Sequence, residues 1–220
     1  MRSESTSTET IVSDKTFQNN TESPFSDKQK AIMSATLRLV VQQGIHATPM
    51  SQIAKEAGVA AGTIYHYFTG KEELLAVLYG SLKEQMGSAL LLHDDPRQPY
   101  NKRFLRFWRN LFDFFYTHPL ELDFLELCDR SPIITESVRI QHEEHYQPVL
   151  VFLNIGIKTR VLCDMPLPLM SALIYGSVAT TVRFIRLQTP QSIMPDQFSL
   201  PIQQYIATAT QSCWNGVKWF

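Results

Sequence analysis

Residues 48–74 read TPMSQIAKEAGVAAGTIYHYFTGKEEL, and the punctuation of this stretch decides the fold. Thr48-Pro49 is an N-cap followed by a first helical residue, where proline loses nothing because that amide is unpaired anyway. Ile53, Ala54 and Ala57 then share one face of a short helix that Gly58 ends. A second short helix runs through Thr63 to about Phe68, with Ile64 and Phe68 one turn apart. Thr69-Gly70-Lys71-Glu72 has the spacing of a capping box and opens a longer helix through Leu74, Leu75, Leu78 and Leu82 to about Leu92. Helix, glycine-centred turn, helix is the arrangement in which one helix buttresses another that presents its N-terminal residues to the major groove of DNA. Ala54 is small enough for a close crossing, and Val59 and Ile64 plug the angle between the helices. No Asp or Glu occurs from Ala57 to Lys71, while Thr63, Tyr65, His66, Tyr67 and Lys71 all offer donors. A face free of carboxylates is what approach to phosphate demands.

Outward from this stretch, the chain keeps a helical period. Ser26-Asp27-Lys28-Gln29 is a capping box, Ile32, Ala35, Leu39 and Val40 follow at helical spacing, and Gly44 stops that helix in a left-handed conformation. Residues 1–25 are rich in Ser and Thr without an apolar block, the composition of a disordered tail and not of a secretory signal. His93 to Pro99, with two prolines and two aspartates, breaks the chain. Beyond it Phe104, Trp108, Leu111, Phe112 and Phe115 form a helical stripe. Pro119 and Pro132 punctuate, a long helix bent at Pro148 is expected from Ile133 toward Ile157, and two final helices over about 167–188 and 200–217 are separated by Pro190 and Pro195. No segment alternates with a period of two. The fold class is all-α.

Composition sets the outer limits. The 220 residues are 44% hydrophobic and 19% charged with a net charge of −1, which fits a globular protein and gives no global positive field. Over residues 26–75, five cations (Lys28, Lys30, Arg38, Lys55, Lys71) face four acids (Asp27, Glu56, Glu72, Glu73), so any attraction to nucleic acid is local. Cys128, Cys163 and Cys213 are odd in number and widely spaced, as buried thiols in a reducing compartment are. Met165 to Val182 lacks charge, but Pro166, Pro168, Ser171, Gly176, Ser177, Thr180 and Thr181 interrupt it, so no membrane span is expected and a cytoplasmic protein follows.

Ile53-Ala54, Ala57-Gly58-Val59, Gly62-Thr63-Ile64-Tyr65, Tyr67-Phe68 and Lys71-Glu72-Glu73-Leu74 together resemble the TetR/AcrR family of bacterial transcription regulators over about residues 27–75. The resemblance implies a helix-turn-helix DNA-binding domain over 26–72 and a larger helical effector-binding and dimerisation domain over 73–220. It implies that Thr48 and Ser51 hydrogen-bond phosphate, and that Ala60, Ala61, Gly62, Thr63, Tyr65 and His66 form the recognition face. Tyr67 and Lys71 would hold phosphate, Lys71 with help from the adjacent helix N-terminus. Ala60 departs from the family's usual Ser or Thr cap, a loss of about 0.5–2 kcal/mol. With Ala60, Ala61 and Gly62 at the tip, base contacts are expected from His66, Tyr65, Thr63 and apolar contacts to thymine methyls.

The resemblance further implies a small-molecule effector and a homodimer. Aromatic side chains around a gap can line an apolar cavity, with Trp108, Phe112, Phe124, Tyr146 and Tyr175 as candidate liners and His142 or His145 as polar anchors. A largely apolar or aromatic effector suits such a lining. Ala172, Gly176, Ala179 and Thr180 make a small-residue strip on one late helix, and Ile206, Ala209, Cys213 and Trp214 recur at helical spacing on the last. Two such helices from each protomer can form a two-fold, four-helix interface, with recognition helices about 34–36 Å apart on a near-palindromic double-stranded operator. The expected function is a dimeric regulator, a repressor released by its effector. The alternative is a helical small-molecule-binding protein or enzyme without sequence-specific DNA binding.

His142-Glu143-Glu144-His145 invites a metal reading, but zinc-protease helices place their histidines four apart and these are three apart. No metal or other cofactor is expected, and a solvated helix face explains the motif. No phosphate loop, nucleophile elbow or catalytic triad stands out in the sequence.

Overall fold

A computed structural model describes residues 24–187 and 202–219. Among these the chain is helical, with only an isolated antiparallel bridge between Leu162 and Lys218. The helices are α1 (Asp27–Gln43), α2 (Met50–Glu56), α3 (Ala61–Tyr67), α4 (Lys71–Leu90), α5 (Tyr100–Thr117) and α6 (Pro119–Asp129). They continue with α7 (Glu136–Gln141), a 3-10 turn (Glu143–Tyr146), α8 (Gln147–Lys158), α9 (Leu167–Leu187) and α10 (Ile202–Val217). Most of the expected tail and the Pro190–Pro195 break lie outside the described residues. Phe25, assigned to the tail from sequence, packs against the core instead, so the ordered fold begins before Ser26.

Local chemistry sets the boundaries. The Ser26 hydroxyl accepts from the Gln29 amide while the Gln29 side chain accepts from the Ser26 amide, completing the first capping box. Gly44 ends α1 at φ 87°, ψ 161°, a region open to glycine alone and distinct from the left-handed helical well. After α2, the Val59 amide reaches the Ala54 carbonyl at 3.0 Å and the Gly58 amide reaches Lys55 at 3.2 Å. With Gly58 at φ 68°, this is a Schellman turn, and it fixes the angle at which α3 leaves.

Two caps differ from the sequence reading by one residue. Pro49, not Thr48, is the N-cap of α2, because the Thr48 hydroxyl turns back to donate to the Gly44 carbonyl at 2.8 Å. Gly70, not Thr69, is the N-cap of α4, so the N3 acid is Glu73 and not Glu72. The Glu73 carboxylate accepts from both the hydroxyl and the amide of Thr69 at 2.6 Å, and these bonds hold its pKa below the ordinary carboxylate value. That increment of stability is present above the ordinary carboxylate pKa and is lost as pH falls through the lowered one.

The long helix expected over 133–157 is broken into α7, the 3-10 turn and α8. Pro148 causes the restart: it has no amide to donate inside a helix, and it sits in the first turn of α8 where none is needed. The 142–146 segment also packs onto α4 at two glycines, two turns apart on one face. A methyl group on Gly80 would fall inside the His142 ring, and one on Gly87 would meet the His145 carbonyl.

α4 therefore belongs to both halves of the molecule. It contacts α1 among the first three helices and α5, α6, α8 and the 3-10 turn beyond them. α9 is long and apolar enough to cross a membrane by composition, with mean hydropathy 1.2. In the structure it packs against α5 and α10, and the Trp108 indole donates to Ser177 Oγ on it at 2.8 Å.

Gly87→Ala should lower unfolding free energy by about 1–3 kcal/mol, because backbone and not a mobile side-chain end must move to admit the methyl. Gly216→Ala, with nothing nearby, should stay within about 1 kcal/mol of the parent. Urea titration followed by circular dichroism measures both.

Candidate functional site

The first three helices expose the face expected of a DNA reader. Ser51, Ala60, Ala61, Gly62 and His66 are exposed, and Tyr65 is 57% exposed. Thr63 and Tyr67 are half-buried, and the His66 and Tyr67 rings meet edge-on with centroids 5.1 Å apart. Behind this face Ile64 and Phe68 are buried against Ile53 and Ala54 in the core cluster, so the exposed residues stand on a packed base. Ala60 caps α3 with its carbonyl alone, through the Thr63 amide at 2.9 Å.

Two of the proposed phosphate contacts are placed differently. Thr48 is fully buried; its hydroxyl donates to Gly44 and accepts from the Gln43 amide, leaving nothing to offer a phosphate. It is a joint of the α1–α2 loop and leaves the contact set. The half-buried Lys71 donates through Nζ to the carbonyls of Ile45 at 2.9 Å and Thr48 at 3.3 Å. Lys71 is thus a clasp between the start of α4 and the loop before α2, with one ammonium proton unassigned.

A second site lies in the larger half. A cavity of about 340 Å³ is walled by Tyr79 and Lys83 of α4, Arg139 of α7, His142, Tyr146, Leu150 of α8, and Leu167, Pro168 and Ser171 at the start of α9. Only His142 and Tyr146 among the expected liners face it. Trp108, Phe112 and Phe124 are core: each is at most 1% exposed, and Trp108 stacks on Phe112. Tyr175 lines a neighbouring void of about 10 Å³ that Tyr146 and Ser171 also border. The His142 to His145 motif is a packed 3-10 turn and not a solvated helix face.

The polar wall is unevenly satisfied. The Arg139 guanidinium donates to Asp129 Oδ1 at 3.1 Å, and the Tyr79 hydroxyl donates to the same oxygen at 3.3 Å. The Lys83 ammonium lies 5.1 Å from the Tyr79 ring centroid. Burial pushes its pKa down, with Asp129 pulling the other way. His142 Nδ1, Ser171 Oγ and Tyr175 OH are shut off from solvent without a hydrogen-bond partner in the described structure. Burial and the neighbouring His145 lower the His142 pKa, which favours a neutral ring. Sequence reading missed Tyr79, Lys83, Arg139 and Ser171, which lie on three separated helices, α4, α7 and α9.

On the late helices Ala172 is exposed, Gly176 faces open space, and Ala209, Cys213 and Trp214 are half-buried. Ala179 and Ile206, 2% and 4% exposed, turn to the core and leave the candidate interface. Leu169, Leu173, Phe184, Leu187 and Ile202 are the large apolar groups left exposed there. Of the three thiols only Cys128 is fully buried; Cys163 donates to the Lys218 carbonyl at 3.0 Å.

Comparison with known proteins bears on the first site by sequence and on the rest of the chain by fold. Residues 32–78 match the family model described as bacterial regulatory proteins, tetR family. An uncharacterized HTH-type transcriptional regulator of Haemophilus influenzae is 34% identical over 107 residues, covering 49% of this chain and 57% of that protein. The chain thus aligns with little more than half the length of that curated relative. The whole fold resembles a TetR family transcription regulator from Marinobacter aquaeolei VT8, with TM-score 0.75 and 23% identity over 88% of this chain and 96% of that one. It also resembles the transcriptional regulator FadR from Bacillus subtilis in complex with stearoyl-CoA, with TM-score 0.64 and 20% identity over 85% of this chain and 98% of that one.

Thr48→Val should cost about 1–3 kcal/mol of stability, because it removes the bonds of a buried hydroxyl to Gly44 and Gln43 and strands a half-buried carbonyl, while Tyr65→Ala should stay within about 0.5 kcal/mol. Thermal unfolding of the two variants checks the assignment of Thr48 to structure and Tyr65 to the free surface.

Proposed function

This chain belongs to the TetR family of transcriptional regulators, and from that premise we propose that it is a dimeric repressor that binds a near-palindromic operator and leaves it when a small effector enters the second half. The observation that carries the reading is the exposed, acid-free surface from Ala60 to His66 on a buried base of Ile64 and Phe68. Ser51, Tyr67 and the remaining proton of Lys71 supply phosphate contacts; Thr63, Tyr65 and His66 supply base-edge contacts. Ala172, Gly176, Ala209, Cys213 and Trp214, with Leu173 and Phe184 added, form the two-fold interface. The protein works in the cytoplasm, where DNA and reduced thiols are found.

The cavity beside α4 is the effector site. Two of its residues, Tyr79 and Lys83, and the two glycines that seat the 142–146 segment all lie on the helix that Lys71 clasps to the reader. A ligand that favours one position of that segment would tilt α4 and change the spacing of the two recognition helices. DNA affinity then falls by the ligand's differential affinity for the two states.

Mobility-shift titration of the chain against its own upstream DNA tests the reading. A shift at nanomolar protein that weakens steeply with salt is expected, and Tyr65→Ala should lose at least about tenfold in affinity. Light scattering should give twice the monomer mass for both proteins. A monomer, or no shift on any fragment of a promoter library, overturns the proposal.

A further inference from the structure

The cavity beside α4 is built for charge as well as for hydrocarbon. α8 and the first turn of α9 contribute Leu150, Leu167 and Pro168, while α4 and α7 contribute Lys83 and Arg139. Arg139 is committed to Asp129, and Tyr79 donates to the same carboxylate, so that acid is spent on one cation. No ion pair to Lys83 forms among the described residues: Asp129, the acid that acts on it, is already held by Arg139, and Glu84 and Glu144, which act on His142, are exposed. Among the described residues, Lys83 and Arg139 therefore set two positive charges against the single Asp129 carboxylate. Two further groups on the same wall, His142 Nδ1 and Ser171 Oγ, are buried without a partner. A wholly apolar ligand would leave all three unpaired beneath it, and a cation would meet Lys83 directly.

We propose that the ligand of this cavity is a small amphipathic monoanion, a carboxylate on an apolar body, with its head group on Lys83, His142 and Ser171 and its body against Leu150, Leu167 and Pro168. The inference rests on reading this cavity as the effector site and adds the chemistry of the effector to it. The volume of about 340 Å³ holds about eleven groups of water size at ~30 Å³ each, which suits a medium-chain acid. A bound carboxylate also reverses the effect of burial on the Lys83 amine by supplying the missing opposite charge.

Calorimetric titration of the full chain with octanoate, 1-octanol, octylamine and octyl phosphate tests this. Octanoate should bind at least about tenfold tighter than 1-octanol, and octylamine more weakly than either. Lys83→Met should erase the margin between acid and alcohol, Lys83→Arg should keep it, and Ser171→Ala should weaken octanoate while leaving 1-octanol unchanged. Equal affinity for acid and alcohol, a margin that survives Lys83→Met, or binding of octyl phosphate but not octanoate each overturns the proposal. DNA affinity, measured in parallel, separates the two readings. Lys83-dependent binding of octanoate without any change in DNA affinity leaves the ligand class standing and overturns the effector switch.

Discussion

Helix α4 is bound at both ends to segments that cannot move independently of it, and the remaining architecture is arranged around that constraint. At its start Lys71 donates to the carbonyls of Ile45 and Thr48, on the loop that carries α2. Nine and sixteen residues further along, Gly80 and Gly87 let the 142–146 segment approach the helix more closely than any side chain would allow. Leu74, Leu75, Leu78, Leu82 and Met86 are buried along one broad stripe and Gly80 is buried on another side of the helix, so the helix is a shared core element and not the edge of either half. A helix buried this fully gives up translation and rotation together. Displacement at one end must then be carried by whole-body tilt.

How much of this the sequence showed depended on whether the signal was local. Ser26, Gly44 and Gly58 act through bonds to residues three to five positions away; Ser26 and Gly58 do what their patterns predict, and Gly44 ends its helix as expected but with a more extended backbone than the left-handed well. The same locality explains the near misses. Glu72 and Glu73 both stand within reach of Thr69, and only the extended backbone of Gly70 selects Glu73. Thr48 has the residue type of an N-cap, whose hydroxyl would accept from a helix amide, but here the hydroxyl turns back and donates to the Gly44 carbonyl at 2.8 Å.

The cavity was illegible for a different reason. An aromatic residue announces that it will be buried, and Trp108, Phe112 and Phe124 are; it does not announce whether space remains beside it. The space arises where the chain fails to continue as a helix. Pro148 restarts α8, the preceding turn is pulled onto Gly80 and Gly87, and the gap left between α4, α7 and α9 is walled by residues as far apart as Tyr79 and Ser171. Lys83 and Arg139 carry no sequence signal of their own, because what distinguishes them is which carboxylates they do and do not meet.

The geometry also says why a ligand at this cavity would be felt at the DNA-reading end. Lys71 and Lys83 are separated by a rise of about 18 Å along one unbroken helix at ~1.5 Å per residue. Ligand contact at His142 bears on Gly80 directly, with no side chain between them to absorb the displacement. At the other end, the clasp transmits movement into the α1–α2 loop through hydrogen bonds from a charged donor, which are stronger than neutral ones. The reader beyond the loop is stiff: a Schellman turn at Gly58 fixes α3 on α2, and Ile64 and Phe68 lock both to the core. A tilt of α4 would therefore reorient the recognition surface as a body, with little of the motion lost to local bending. In the proposed dimer, displacement of one recognition surface relative to its two-fold mate is what duplex DNA would discriminate against, because its grooves repeat at a fixed spacing.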